Sequence, residues 1–142
     1  MTSPDRHLLE TLTGPGALSE IHRALNDMWE CHREIPPAVR IAMTTGVAEI
    51  GGNIVEHSGR SGPVPLRMDI EVTPTTLTVV FTDKGDAVEV DLHALSLPDA
   101  TAKHGRGLAL ASAVLDRLTY HRRGTCNEWT LVSYFGEENV RD

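Results

Sequence analysis

Glu49, Asn53 and His57 recur at four-residue spacing, which on a helix brings all three side chains close to one side and makes a polar, ionisable ledge. A solvated helix face carries the same pattern, but Gly51-Gly52 lies inside this one. Each mid-helix glycine costs about 1 kcal/mol relative to alanine, so the segment tolerates a weakened helix where something needs close approach. Further along, Asp83-Lys84-Gly85 follows directly on an apolar alternating run. It puts a carboxylate where a strand ends, a place that ordinary turn chemistry also favours. Gly105-Arg106-Gly107 opens another apolar periodic stretch. The unpaired amides of a helix start there, with Lys103 and Arg106 adding positive charge, suit an anion.

Helices, strands and a lid must hold these residues. Leu18, Ile21, Leu25, Met28 and Trp29 recur at three- and four-residue spacing and predict a helix from Ala17 to the Ile35-Pro36-Pro37 break. Pro37 opens a second helix, with Met43, Val47, Ile50 and Ile54 on its core stripe, reaching about His57. The period then drops to two. Leu66, Met68, Ile70 and Val72 predict one strand, and Leu77, Val79 and Phe81 predict its antiparallel hairpin partner. The segment from Thr82 to Lys103 reads as a lid. A third helix starts at Gly105 and runs to about Asp116, followed by strands at Arg117 to Arg122 and Glu128 to Phe135 joined around Gly124. The expected fold is α+β, a two-layer sandwich. Its sheet is mixed but mostly antiparallel and covered on one face by helices, and the crossover around the lid makes one strand pair parallel. The chain reads as a single domain over residues 1–142, with residues 1–13 a flexible N-terminal segment.

Composition narrows the function. The 142 residues carry a net charge of −7, a field that repels nucleic-acid phosphates, and six aromatics offer little for base stacking. No apolar run approaches the roughly 20 residues that span a bilayer. The first ten residues carry Asp5, Arg6 and Glu10 with no apolar stretch, so the expectation is a cytoplasmic protein. Cys31 and Cys126 read as reduced structural thiols, because neither has a CxxC partner, and the seven histidines form no H-E-x-x-H zinc motif.

Taken in order, a helical Glu-x-x-x-Asn-x-x-x-His, a hairpin ending in Asp-x-Gly, and a lid closing on Gly-x-Gly-Leu at a helix start resemble the GHKL, or Bergerat-fold, ATP-binding superfamily. Within it the chain most resembles the short anti-sigma-factor serine kinases of the RsbW type, over roughly Gly16 to Phe135. The resemblance implies roles residue by residue. Glu49 to His57 looks like the box in which the Asn, here Asn53, coordinates Mg²⁺ and the Glu, here Glu49, acts as base. His57 closes that stretch beside the nucleotide. Asp83 corresponds to the Asp that accepts a hydrogen bond from the adenine amino group, with Gly85 in the same box. Gly105-Arg106-Gly107-Leu108 resembles the Gly-rich box over the phosphates, where Lys103 and Arg106 would neutralise charge. Thr130 resembles the Thr that helps hold adenine. One departure is Ala87, where the superfamily often has a second glycine.

The resemblance therefore implies an ATP- and Mg²⁺-dependent protein serine kinase that is also an anti-sigma factor. Its partners would be a sigma factor and a STAS-domain anti-anti-sigma protein, with no direct nucleic-acid or membrane contact, and it would form a homodimer. Two other readings share the motifs. One is an ATP-binding regulator that sequesters a partner without transferring phosphate. The other is a histidine-kinase-like catalytic domain, which needs a preceding helix pair bearing a phospho-acceptor His. Residues 1–36 are too short for that pair, so His22 and His32 read as surface helix residues.

Overall fold

The computed structural model describes residues 5–58, 62–88 and 103–136, with backbone only at residues 58 and 103–106. Most of the lid assigned from the sequence, residues 89–102, lies outside them. The chain runs β1 (Asp5–Leu12), α1 (Ala17–Cys31), α2 (Pro37–Ser58), β2 (Pro65–Val72), β3 (Thr76–Asp83), α3 (Lys103–Val114), β4 (Arg117–Arg123) and β5 (Cys126–Tyr134). The five strands form one sheet in the order β1-β2-β3-β5-β4. This is the expected α+β architecture, with three helices against the sheet among the described residues.

Each helix lies where its apolar stripe can be buried. Ile21, Leu25, Met28 and Trp29 of α1 and Met43, Val47, Ile50 and Ile54 of α2 pack on the inward residues of the strands. Leu66, Met68, Ile70 and Val72 of β2, Leu77, Val79 and Phe81 of β3, and Trp129 and Leu131 of β5 supply the sheet's half of the core. The period-two residues therefore define the helix-facing side, and their alternates face away. Gly124, at φ 59°, opens the two-residue turn between the register partners Arg123 and Cys126, a left-handed position that glycine fills without steric cost.

Three expectations are corrected. Residues 5–12, read as a flexible terminus, are a full edge strand in register with β2 from Asp5↔Val72 to Leu12↔Pro65. Thr13 continues the pairing, accepting from Val64 N–H through Oγ1 at 3.0 Å and donating its own N–H to Val64 O at 2.9 Å. The apolar residues of Asp-Arg-His-Leu-Leu-Glu-Thr-Leu do not alternate, because Leu8 and Leu12 lie on the exposed face and Leu9 on the half-buried one. Pairing with β2, rather than local pattern, supplies its order. The parallel pair is also absent among the described residues, where every adjacent pair in the sheet is antiparallel. The crossover through α3 does bring β4 back in the direction of β3, but β5 inserts between them. Finally, His32 is buried at 6% exposure. It closes the C-terminus of α1, with His7 Nε2 3.2 Å from its Nε2 and the carboxylates of Asp5 and Glu34 each 3.4 Å from a ring nitrogen.

Candidate nucleotide site

α2 and α3 pack closely because glycines remove the side chains that would separate them. A Cβ at Gly46 would stand 2.8 Å from Leu115 Cδ1, at the end of α3. A Cβ at Gly107 would collide with the Glu49 carboxylate, whose Cδ lies 3.5 Å from that point. Advancing along α2 from Gly46 to Glu49 thus moves backward along α3, so the two run antiparallel. Asn53, one turn beyond Glu49, is carried further toward the start of α3. Glu49, Asn53 and His57 are all half-buried. The two mid-helix glycines play different parts. A Cβ at Gly51 would meet Ile21 at 3.4 Å and Phe81 at 3.7 Å, which are core contacts, whereas a Cβ at Gly52 would meet nothing within 4 Å.

The second half of the site is built at the ends of β3 and β5. Asp83 and Asn127 are register partners, both 1% exposed on the helix-facing side. Asp83 Oδ1 accepts from Gly85 N–H at 2.7 Å and from Asn127 Nδ2 at 3.0 Å. Nδ2 of Asn127 also donates to Asp86 O at 2.8 Å. From β4, Arg122 Nη1 donates to Gly85 O at 2.7 Å and to Asn127 Oδ1 at 3.1 Å. The Tyr120 hydroxyl donates to Asn127 Oδ1 and accepts from Val88 N–H at 3.0 Å. A buried carboxylate tied in this way is held in one orientation, and the residues after it are fastened to the sheet.

The structure thus joins Glu49 to Gly107 across two helices, and Asp83 to buried Gly85 across one turn. Leu108 is 7% exposed and belongs to the core, so its part is to seat α3. Gly105 lies within the first turns of α3, while the side chains of Lys103 and Arg106 lie outside the described residues. Thr130 is not brought to the site. It pairs with Val80 and Thr119 and alternates with buried Trp129 and Leu131, which turns it to the face away from the helices. The polar residue of β5 that does meet Asp83 is Asn127, which the sequence reading missed together with Tyr120 and Arg122. Its signal was parity, since Asn127 is in phase with Trp129 and Leu131.

Chemically, the site offers a carboxylate and an amide oxygen one turn apart, beside a helix start that carries two glycines. Asn53 supplies the hard oxygen donor that Mg²⁺ prefers. Among the described residues no group of three or more His, Cys, Asp or Glu side chains is arranged to cage a metal ion, so an ion at Asn53 would draw most of its ligands from phosphate and water. The bare Cα of Gly107 leaves room for the Glu49 carboxylate to lie against it. No helix among the described residues is long and apolar enough to cross a membrane.

The comparisons with known proteins agree with this geometry. Residues 13–133 match the family model of the histidine kinase-like ATPase domain. A serine/threonine-protein kinase, BtrW, from Bordetella bronchiseptica strain RB50 is 29% identical over 124 residues, covering 83% of this chain and 82% of the relative. Among solved structures, the histidine kinase AdeS of Acinetobacter baumannii superposes with a TM-score of 0.51 at 14% identity, over 89% of this chain and 67% of that one. At that identity the likeness speaks for the fold alone.

Proposed function

The chain belongs to the histidine kinase-like ATPase domain family, and on that premise we propose that it is an ATP- and Mg²⁺-dependent protein serine kinase that also serves as an anti-sigma factor. In this reading it binds a sigma factor in one state and phosphorylates a STAS-domain anti-anti-sigma protein in another, working as a homodimer. The observation that carries the kinase reading is the seat of the Glu49 carboxylate against Gly107. A carboxylate beside nucleotide phosphates opposes binding, so its place there calls for a compensating benefit. Accepting the proton of an attacking hydroxyl supplies one. The name of the Bordetella relative supports the same class of acceptor.

Asp83, oriented by Gly85 and Asn127, accepts from the adenine amino group. The amides at the start of α3 face the phosphates. Asn53 would hold Mg²⁺, which when bound offsets phosphate charge. As the seryl oxygen bonds to the γ-phosphorus and the bond to the β-phosphate oxygen breaks, ADP departs and the seryl proton passes to Glu49. The test is Glu49→Gln, which keeps shape and loses the base. Labelled γ-phosphate transfer to a STAS-domain partner should fall by roughly 10²- to 10⁴-fold with Mg-ATP affinity kept or improved. Wild-type protein that binds Mg-ATP but labels no partner would refute the kinase reading and favour sequestration without transfer.

A further inference from the structure

We propose that Asn127 sets the base specificity of this site, and that Arg122 and Tyr120 act through it. The inference rests on the reading of Asp83 as the group that meets the purine 6-position.

A buried side-chain amide can sit in two orientations that exchange its oxygen and nitrogen, and its neighbours decide between them. Arg122 has donors only, and its Nη1 stands 3.1 Å from one end of the Asn127 amide, so that end must be oxygen. The Tyr120 hydroxyl accepts from Val88 N–H, which leaves its own proton for the same oxygen. The other end faces Asp83 Oδ1 at 3.0 Å, Asp86 O at 2.8 Å and Gly85 O at 3.4 Å. All three are acceptors, so that end must be NH₂. The β4 side chains at one end and the three acceptors at the other therefore dictate together that Asn127 presents donors to Asp83.

The consequence falls on Asp83. Its Oδ1 receives two N–H donors, from Gly85 at 2.7 Å and from Asn127. It thus meets the protein as an acceptor, with the plane of its carboxylate fixed by two bonds from different directions. A carboxylate held so rewards a 6-amino purine and meets a 6-oxo purine acceptor against acceptor. Without Asn127 the carboxylate loses one of these donors and is held less firmly about its terminal torsion. Asn127 is thus a positioning residue for discrimination, beyond any part it has in stability.

The experiment compares Mg-ATP with Mg-ITP, which differs at the purine 6-position, by calorimetry on the full chain. Wild type should prefer ATP. Asn127→Leu, similar in volume but without donors, should lower the ITP-to-ATP ratio of dissociation constants by roughly tenfold. Asn127→Thr, whose hydroxyl can again donate to Asp83, should hold the ratio near wild type. Arg122 is exposed, so Arg122→Met tests the idea without removing a buried group; it takes one donor from Asn127 Oδ1 and should lower the ratio by about threefold by loosening the amide that Tyr120 and the facing acceptors still orient. If Asn127→Leu and Arg122→Met weaken both nucleotides equally, or leave both unchanged, the inference is overturned while the nucleotide reading stands. Wild-type protein that binds neither nucleotide would overturn both.

Discussion

The contact between Gly107 and Glu49 yields a sharp test, because one methyl group should silence the chemistry without unfolding the protein. In Gly107→Ala the added Cβ would lie 3.5 Å from Glu49 Cδ and nearer still to Oε1, inside the 3.0 Å that real Cβ atoms keep clear. Something must move. The obstructing atom is the tip of a half-buried, flexible side chain, not backbone. Turning the carboxylate aside costs about 1 kcal/mol of rotamer energy. Alanine regains about 1 kcal/mol over glycine inside a helix. The two nearly cancel, so thermal stability should stay within a few degrees of wild type. Activity should not. A displaced base forfeits roughly 10²- to 10⁴-fold in transfer, read as single-turnover phosphorylation of a STAS-domain partner at saturating Mg-ATP. The double variant Glu49→Gln/Gly107→Ala should transfer no more slowly than the worse single variant, since both act through one group. A folded Gly107→Ala protein that transfers phosphate at the wild-type rate would refute the assignment. So would a loss that follows ATP affinity alone, because the methyl would then be acting on the nucleotide.

Asp83→Asn keeps the shape of the buried side chain but replaces an acceptor oxygen with a donor. Calorimetry should show Mg-ATP affinity reduced roughly tenfold or more, and unchanged affinity in a folded variant would remove adenine from this pocket. Gly46→Ala places a methyl 2.8 to 3.2 Å from three Leu115 side-chain carbons. Overpacking of about 1–3 kcal/mol, less about 1 kcal/mol of helix propensity, predicts a melting temperature several degrees lower. Gly52→Ala meets no neighbour within 4 Å, so it should raise the melting temperature by a few degrees through about 1 kcal/mol of helix propensity. A fall would mean that residue 52 is enclosed.

The parts of this molecule legible in its sequence are those where local pattern and tertiary burial agree. Ile21, Leu25, Met28 and Trp29 could bury together only as a helix, and β2 alternates so strictly that a one-residue slip would turn Met68 and Ile70 to solvent. The placement of Glu49 and Asn53 on α2 was readable for the same reason, since they sit on a continuous helix whose core stripe fixes its rotation. β1 was not legible. Its order comes from eight register pairs with β2 and from His7 meeting His32, contacts between segments that nothing in Asp5 to Leu12 announces. The parallel pair failed for a related reason. A crossover fixes the relative direction of the strands it joins, but it does not fix whether a later strand inserts between them.

The error at Thr130 has a different cause and shows what a strand requires of a motif. On α2 a residue displaced by one position swings by about 100° and still lies near its intended neighbours. On β5 the same displacement moves a side chain through the sheet. Assigning a residue of β5 to a site facing the helices is therefore a question of parity before it is one of chemistry. Parity was available in the sequence. Trp129 and Leu131 are the large apolar residues of that strand, so Asn127 and Ser133 share their side and Thr130 does not. Once parity is fixed, the exceptional feature of β5 is an asparagine on an otherwise core-facing row. Burying an amide there is costly unless each of its donors and acceptors is met. Asp83, Asp86, Tyr120 and Arg122 meet them. Arg122 and Tyr120 stand only five and seven residues before Asn127, across the Gly124 turn, but Asp83 and Asp86 are more than forty residues away, which is why its role had to wait for the register of β3 with β5.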